Sequence, residues 1–183
     1  MTLFDDPEPR AVFSDCGRFR YRLHRQLRQP TIDGWQRRVL FVMTNPSIAD
    51  HEKPDPTTTR CIGFATALEA SDLDIGNPFG LIATKSADLE KACKKAVDPL
   101  REVIGPENDK HLAAMASRAH IIIVAWGKRG TLLGRDRAVY DLLCRASDPR
   151  RIQALRLAEK TGIPEHPLYL PGSLRPVPWK GPR

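Results

Sequence analysis

Asn45, Asn77 and His166 are the residues of this chain whose types and settings best suit chemistry on a polar ligand. Each lies directly before a proline; Asn45 follows an apolar run, Asn77 lies where a second apolar run is broken, and His166 lies on a turn near the end of the chain. An asparagine amide offers both an acceptor and donors, so it can hold a water or read the imide or amide edge of a nucleobase. A histidine on a rigid turn can stabilise a developing oxyanion. Ordinary Asn-Pro turns and a surface histidine remain the alternative interpretations.

Two carboxylates, Asp50 and Asp55, share the loop that begins at Asn45. Carboxylates can act as general bases or bind a metal, but this spacing lacks the further oxygen ligands of a calcium loop. The sequence therefore predicts neither a metal site nor a cofactor. Asp55-Pro56-Thr57 is also a good helix entry, so Asp50 is the candidate catalytic carboxylate.

Trp126-Gly127-Lys128-Arg129 follows the most apolar run of the chain. Trp126 offers either a stacking face for a base or a packing anchor. Gly127 permits close backbone approach, and Lys128 and Arg129 add positive charge where a phosphate can bind.

The elements that would position these residues alternate along the chain. Continuous apolar runs predict buried parallel strands, and helical spacing with capping residues predicts helices. The predicted strands are 39–44, 73–82 (broken at 76–78), 120–125 and 152–157, and the predicted helices are 57–70, 87–96, 108–119 and 135–145.

An additional strand is predicted near the start, because residues 18–25 alternate between apolar and basic. Phe19, Tyr21 and Leu23 form its apolar face. The other face is basic. It has two interpretations: the charged side of an edge strand that resists aggregation, or a phosphate-binding surface. Its members are Arg18, Arg20, Arg22 and His24.

Alternating strands and helices predict an α/β protein, here a three-layer α/β/α sandwich with a central, mostly parallel four-stranded sheet and an N-terminal edge strand. We expect residues 1–183 to form a single domain, with a loose leader at 1–15 and a Pro-rich tail at 171–183. Right-handed crossovers place all parallel strand ends at one edge, where open α/β sheets bind ligands. Four loops would meet there: 45–57, 76–80, 126–130 and 162–169.

The composition indicates which kind of partner the protein binds and which cellular compartment suits it. The chain has 183 residues, 29 basic against 22 acidic, and a net charge of +7, which favours an anionic partner, most commonly nucleic acid. A merely basic surface is the alternative. Four cysteines without a CxxC pair fit a reducing cytoplasm. We expect no signal peptide and no membrane-spanning helix, which requires roughly 20 apolar residues.

Six short motifs, together and in this order, resemble an uncharacterised family of bacterial and phage domains of unknown function. The resemblance covers about residues 18–179 and assigns no activity. The motifs are Met43-Thr-Asn-Pro-Ser-Ile-Ala-Asp50, Asp55-Pro-Thr57, Asn77-Pro-Phe79, Asn108-Asp109, Ala125-Trp-Gly127 and His166-Pro-Leu-Tyr169.

A weaker resemblance is to the uracil-DNA glycosylase superfamily. It implies that Asn45 positions a water and Phe64 stacks on the flipped base. It also implies that Asn77 reads the base edge and His166 stabilises the departing base anion. Ser47 and the loop that carries Tyr169 would contact the nucleic acid.

The sequence therefore predicts a DNA glycosylase-like enzyme that hydrolyses the N-glycosidic bond of uracil or a modified base. No aspartate stands beside Pro46, so a non-catalytic nucleic-acid-binding module of the same fold remains an alternative. A hydrolase acting on free nucleosides or nucleotides is another.

Overall fold

The computed structural model describes residues 10–29, 36–47, 55–83 and 85–182. Within these residues it is an α/β structure built on one mixed sheet of seven strands, in the order β1-β2-β4-β3-β5-β6-β7. The strands are β1 Ala11–Phe13, β2 Arg20–Gln26, β3 Arg38–Val42, β4 Asp72–Gly76, β5 Ile121–Val124, β6 Ile152–Ala154 and β7 Val177–Pro178.

Four of these strands are parallel and form the centre of the sheet. β3 pairs in parallel with both β4 and β5, and β5 pairs in parallel with β6. The flanking pairs β1–β2, β2–β4 and β6–β7 are antiparallel. The carboxyl ends of β3, β4 and β5 therefore lie side by side at one edge, which we call the carboxyl edge.

The helices cover both faces of the sheet. They are α1 Pro56–Ala67, α2 Ser86–Lys95, α3 Asn108–Arg118 and α4 Arg135–Ala146. A single π-helical turn spans Leu100–Ile104, and short 3₁₀ segments span Lys128–Gly134, Pro149–Arg151 and Pro167–Tyr169.

Alternate residues of the central strands supply two separate cores, because successive side chains of a strand point to opposite faces. On β3, Phe41 packs with Phe64 of α1. Its neighbour Leu40 packs on the other side with Leu112 of α3 and Leu143 of α4. A strand buried on both faces must be apolar throughout, which explains why the 39–44 run shows no alternation.

The sheet predicted from the sequence had too few strands and too few antiparallel pairs. A central parallel group is present, but the sheet is mixed and has seven described strands instead of four plus one at the edge. The predicted N-terminal edge strand corresponds to β2, which is internal because β1 covers its outer side. β1 and β7 have only three and two residues, too few for a period-two pattern to identify them.

The basic side of β2 is also not exposed. Arg20, Arg22 and His24 are all buried. Arg22 Nε donates to Asp74 Oδ1 at 2.7 Å, and His24 Nδ1 lies 3.1 Å from the same oxygen. Carboxylates of β4 thus neutralise this face, as buried charges require, and the surface interpretations of Arg22 and His24 were wrong.

Candidate functional site

A cavity of about 650 Å³ opens at the carboxyl edge of β3, β4 and β5. Its volume lies in the range of small-molecule sites. The loops predicted to converge at this edge all contribute to its wall. Eight of the ten residues singled out from the sequence line it: Asn45, Ser47, Asn77, Trp126, Lys128, Arg129, His166 and Tyr169.

Direct contacts hold these loops together. Thr44, just after β3, donates its hydroxyl to the carbonyl of Trp126 at 2.6 Å. Gly127 donates its N–H to the carbonyl of Pro164 at 2.9 Å, which brings the His166 loop against the end of β5. Gly127 has φ +61°, a conformation that glycine adopts without strain. Hydrogen bonds therefore join three of the cavity's loops, which are distant from one another in the sequence.

The amide of Asn45 is fixed in one orientation. Its Nδ2 donates to the carbonyls of Pro46 and Ala83, at 2.9 and 3.1 Å. Since both donors are committed to the backbone, the side-chain oxygen Oδ1 is the atom that Asn45 can offer to a ligand or water.

The side-chain amide of Asn77, unlike that of Asn45, is not committed to the protein backbone. It is only 3% exposed, it lines the cavity, and its side-chain amide makes no hydrogen bond to any described residue. Since Asn77 lines the cavity and its amide has no partner in the described part of the chain, that amide is a candidate for contacting a ligand, with donors and an acceptor both available.

The backbone at Asn77 is clamped from two helices. Asn108, at the start of α3, donates its Nδ2 to the carbonyl of Asn77 at 2.9 Å. Arg135, at the start of α4, donates its Nε to the carbonyl of Pro78 at 3.0 Å, and it also pairs with Asp109 through two hydrogen bonds of 3.2 and 2.5 Å. We call Asn108, Asp109 and Arg135 the Asn77 clamp. The Asn108-Asp109 motif, which the sequence places at the start of a predicted helix, thus fixes the segment that presents Asn77.

His166 is poised as a neutral donor. Its Nδ1 accepts the N–H of Leu168 at 3.3 Å, which assigns the ring proton to Nε2. Burial lowers the pKa of His166, against a smaller opposing effect of the Asp55 charge. The ring is therefore neutral at pH 7, and Nε2–H is its remaining polar group on the cavity it lines.

Asp55 is a cavity residue that sequence reasoning treated as structural. It caps α1, since its Oδ1 accepts the N–H of Thr58 at 2.6 Å, and its Oδ2 accepts the Ser47 hydroxyl at 2.6 Å. Burial raises the pKa of Asp55, but these hydrogen bonds and the charge of Arg20 outweigh it and leave the pKa lowered. Asp55 is therefore an ionised carboxylate on the cavity wall.

Arg20 is the second residue that sequence reasoning placed elsewhere. It is 5% exposed and lines the cavity. Burial lowers the pKa of Arg20, and the Asp55 charge opposes that shift. The only sequence signal was its place in the alternating basic pattern of β2.

Trp126 and Arg129 are both engaged by the protein. Trp126 is 1% exposed and packs edge-on against Trp179, with ring centroids 5.5 Å apart, so most of its surface serves packing. Its indole Nε1–H is buried without a partner in the described part of the chain. Arg129 forms a 2.7 Å ion pair with Glu90 of α2.

Three further predicted positions fall in different settings. Phe64 is 3% exposed within the α1 core, with the Arg60 guanidinium 5.2 Å above its ring, and it is not part of the cavity wall. Tyr169 is 88% exposed at the cavity mouth. Asp50 lies outside the described residues. A base in the cavity would therefore find the Tyr169 ring at the mouth, but not the Phe64 ring.

Across the described ranges, no group of three or more His, Cys, Asp or Glu side chains is arranged to hold a metal ion. In the same part of the chain, no helix combines the length and apolarity needed to cross a bilayer.

The fold and the cavity define an α/β protein with a mixed sheet and a polar site at its carboxyl edge. The chain belongs to the family described as "Protein of unknown function (DUF1643)", which matches residues 20–168. That span begins at the cavity residue Arg20 and ends at the cavity residue Leu168. No curated protein and no solved structure matches the chain. Membership of a family of unknown function is thus confirmed, whereas the resemblance to uracil-DNA glycosylases stays a prediction.

Proposed function

We propose that this protein is a hydrolase that releases uracil or a similar base from DNA by breaking its N-glycosidic bond. One observation carries the proposal: Asn45, Asn77 and His166 line a single cavity, and its volume is large enough for a base and its sugar. Their free groups are complementary. Asn45 offers an acceptor, His166 offers a donor, and Asn77 offers both.

In this mechanism the base leaves the stack, at a cost of a few kcal/mol, and enters the cavity. The Asn77 amide pairs with its imide edge. As the bond from C1′ to the base nitrogen breaks, its electron pair moves onto the base, and the Nε2–H of His166 donates to the base oxygen where negative charge collects. Such a donor contributes about 3 kcal/mol to the transition state.

The sugar then carries positive charge at C1′, and the ionised Asp55 supplies a fixed negative charge to the same cavity. A water held by Asn45 Oδ1 attacks C1′ and forms the new C–O bond. The proton lost by that water is transferred to the base anion or to solvent. The products are an abasic site and the free base, so atoms and charges balance.

The test is incubation with oligonucleotides that carry uracil, mismatched or hypermodified bases, followed by alkaline cleavage of abasic sites. His166→Gln should lower the rate about 10²- to 10³-fold. His120→Gln is the matched control, because His120 is exposed and precedes β5 at the opposite edge of the sheet. Absence of abasic product from every substrate would refute the enzymatic proposal, and equal losses in the two variants would refute the role of His166.

A non-catalytic binding module is the second candidate. It is favoured by the lowered pKa of Asp55, which makes this carboxylate a weak proton acceptor, and by the neutral side chain of Asn45. DNA binding that survives both Asn45→Ala and His166→Ala, without turnover by the unmodified protein, would support it. Turnover of free nucleosides but not of oligonucleotides would instead identify a nucleoside hydrolase.

A further inference from the structure

Helix α2 begins beside the cavity and exposes a row of lysines. Ala83, three residues before α2, lines the cavity. Leu89 is fully buried, and Lys91, Lys94 and Lys95 are exposed. Residues at i, i+3 and i+4 lie on one face of a helix, so these three lysines form a single surface, which we call the α2 lysine face.

The charge of this face is not neutralised by the protein. Many other basic side chains pair with carboxylates, as Arg22 does with Asp74 and Arg156 with Glu165. By contrast, none of the three lysines of the α2 lysine face has an ion pair or hydrogen bond to the described residues through its side chain. Positive charge left uncompensated on one face raises the local potential and attracts polyanions.

The α2 lysine face is physically continuous with the cavity. Glu90, on the same helix, pairs with Arg129 at 2.7 Å, and Arg129 lines the cavity next to Lys128. Glu90 is thus engaged at the rim by Arg129. A chain of phosphates that leaves the cavity at Lys128 would meet the α2 lysine face next.

We propose that the α2 lysine face binds the phosphodiester backbone of the DNA strand whose base enters the cavity. The proposal rests on the proposed function and makes its substrate a polymer instead of a free nucleotide. Lysine contacts to phosphates position a strand without reading its sequence. They also make binding depend on salt, since each neutralised phosphate contributes a slope of about −0.9 for duplex DNA, or about −0.7 for a single strand, in log K against log salt.

The experiment compares the salt dependence of binding of a fluorescent DNA oligonucleotide by the full chain and by two triple variants. Lys91→Gln/Lys94→Gln/Lys95→Gln removes the α2 lysine face, and glutamine keeps a similar helix propensity. The control removes the same charge at the opposite edge of the sheet, where exposed basic residues lie at the ends of α3 and α4 and just after β7. It is Arg118→Gln/Arg145→Gln/Lys180→Gln. Circular dichroism and thermal unfolding establish that both variants are folded.

We expect the α2 variant to reduce the magnitude of the slope by about 2 to 3, and the control to change it by less than about 1. Equal changes in the two variants, or DNA binding by the unmodified protein that is absent or insensitive to salt, would overturn the proposal. Base release is measured separately on the same oligonucleotides. If the α2 variant lowers the slope but the unmodified protein releases no base, the proposed function is refuted and the role of the α2 lysine face is supported. If base is released but the α2 variant leaves the slope unchanged, the proposed function is supported and the role of the α2 lysine face is refuted.

Discussion

The Asn77 clamp makes a prediction about stability that does not depend on any activity. Asn108 is 1% exposed and donates to the Asn77 carbonyl at 2.9 Å. Asn108→Ala removes that donor, and a buried carbonyl left unpaired costs about 1–3 kcal/mol. Two gains offset part of the loss. Alanine is the better helix former by about 0.5 kcal/mol, and the substitution removes Asn108 Oδ1, which has no partner within the described residues. We expect a net loss of about 1–2 kcal/mol.

Asn108→Asp is the sharper perturbation, because it keeps the shape and replaces only the donor. An ionised Asp would face the carbonyls of Asn77 and Pro78, which accept from Asn108 at 2.9 and 3.5 Å. The favourable position at the start of α3 recovers at most about 1 kcal/mol. We therefore expect a loss of about 2–4 kcal/mol at pH 8, larger than for Asn108→Ala.

The same variant has a predicted pH dependence. Burial raises the folded-state pKa of such a carboxyl above its unfolded value of about 3.9. The folded state then binds more protons between the two pKa values, so stability falls as pH rises through that window. At low pH the protonated carboxyl donates to the Asn77 carbonyl, and the loss of stability relative to the unmodified protein becomes smaller.

Urea unfolding of the three proteins at pH 5 and pH 8, followed by tryptophan fluorescence, measures these differences. For a chain of this size each kcal/mol corresponds to about 2–4 °C in the thermal midpoint. If Asn108→Asp is as stable as the unmodified protein at pH 8, or more stable than Asn108→Ala, then the donor to Asn77 does not matter and the clamp is refuted.

Three other predictions need one experiment each. Burial lowers the pKa of His166, so base release should not change between pH 8 and about 6.5, and a change that begins above pH 7 in the pH–rate profile would contradict a ring that is neutral at pH 7. A serine hydroxyl lowers the pKa of the exposed Cys16 thiol, and burial raises that of Cys61. Peptide mapping after iodoacetamide treatment should therefore find Cys16 modified and Cys61 protected until unfolding, and similar rates would count against this placement. Gly80→Ala would put Cβ 2.7 Å from a backbone carbonyl oxygen and should lower the free energy of unfolding by about 1–3 kcal/mol. Gly63→Ala, in open space inside α1, should raise it by up to about 1 kcal/mol. Urea unfolding measures both, and a Gly80→Ala protein more stable than the Gly63→Ala protein would refute the close packing at Gly80.

Residues with one dominant physical role were predictable from the sequence. The runs 39–44 and 120–125 can only be buried on both faces, and they are the parallel strands β3 and β5. The polar loops after them had to meet at the carboxyl edge. For that reason Asn45, Asn77 and His166 could be gathered into one site from their positions alone.

Residues whose role depends on a distant partner were not predictable in the same way. The basic side of β2 reads as a surface until it is paired with β4, where Asp72 and Asp74 alternate in the complementary pattern. That acidic alternation is present in the sequence, but it carries meaning only once the two strands are known to be neighbours. Asp55 and Asn108 each start a helix, and that local role conceals the second one at the cavity wall or clamp.

The electrostatics of the cavity also restrict which base the proposed reaction can release. His166 is neutral at pH 7 and Asp55 is ionised, so neither is a strong proton donor to a leaving base. A purine departs readily only after protonation of its ring, which this pair does not provide. A pyrimidine with an imide, such as uracil, leaves as an anion whose charge is shared between the ring nitrogen and the exocyclic carbonyl oxygens, where one hydrogen-bond donor is worth most. Asp55 is equally unsuited to deprotonate a water, but its charge stabilises the cation left at C1′. The chemistry of the cavity therefore favours departure of the base before attack by water, and a uracil-like substrate over a purine.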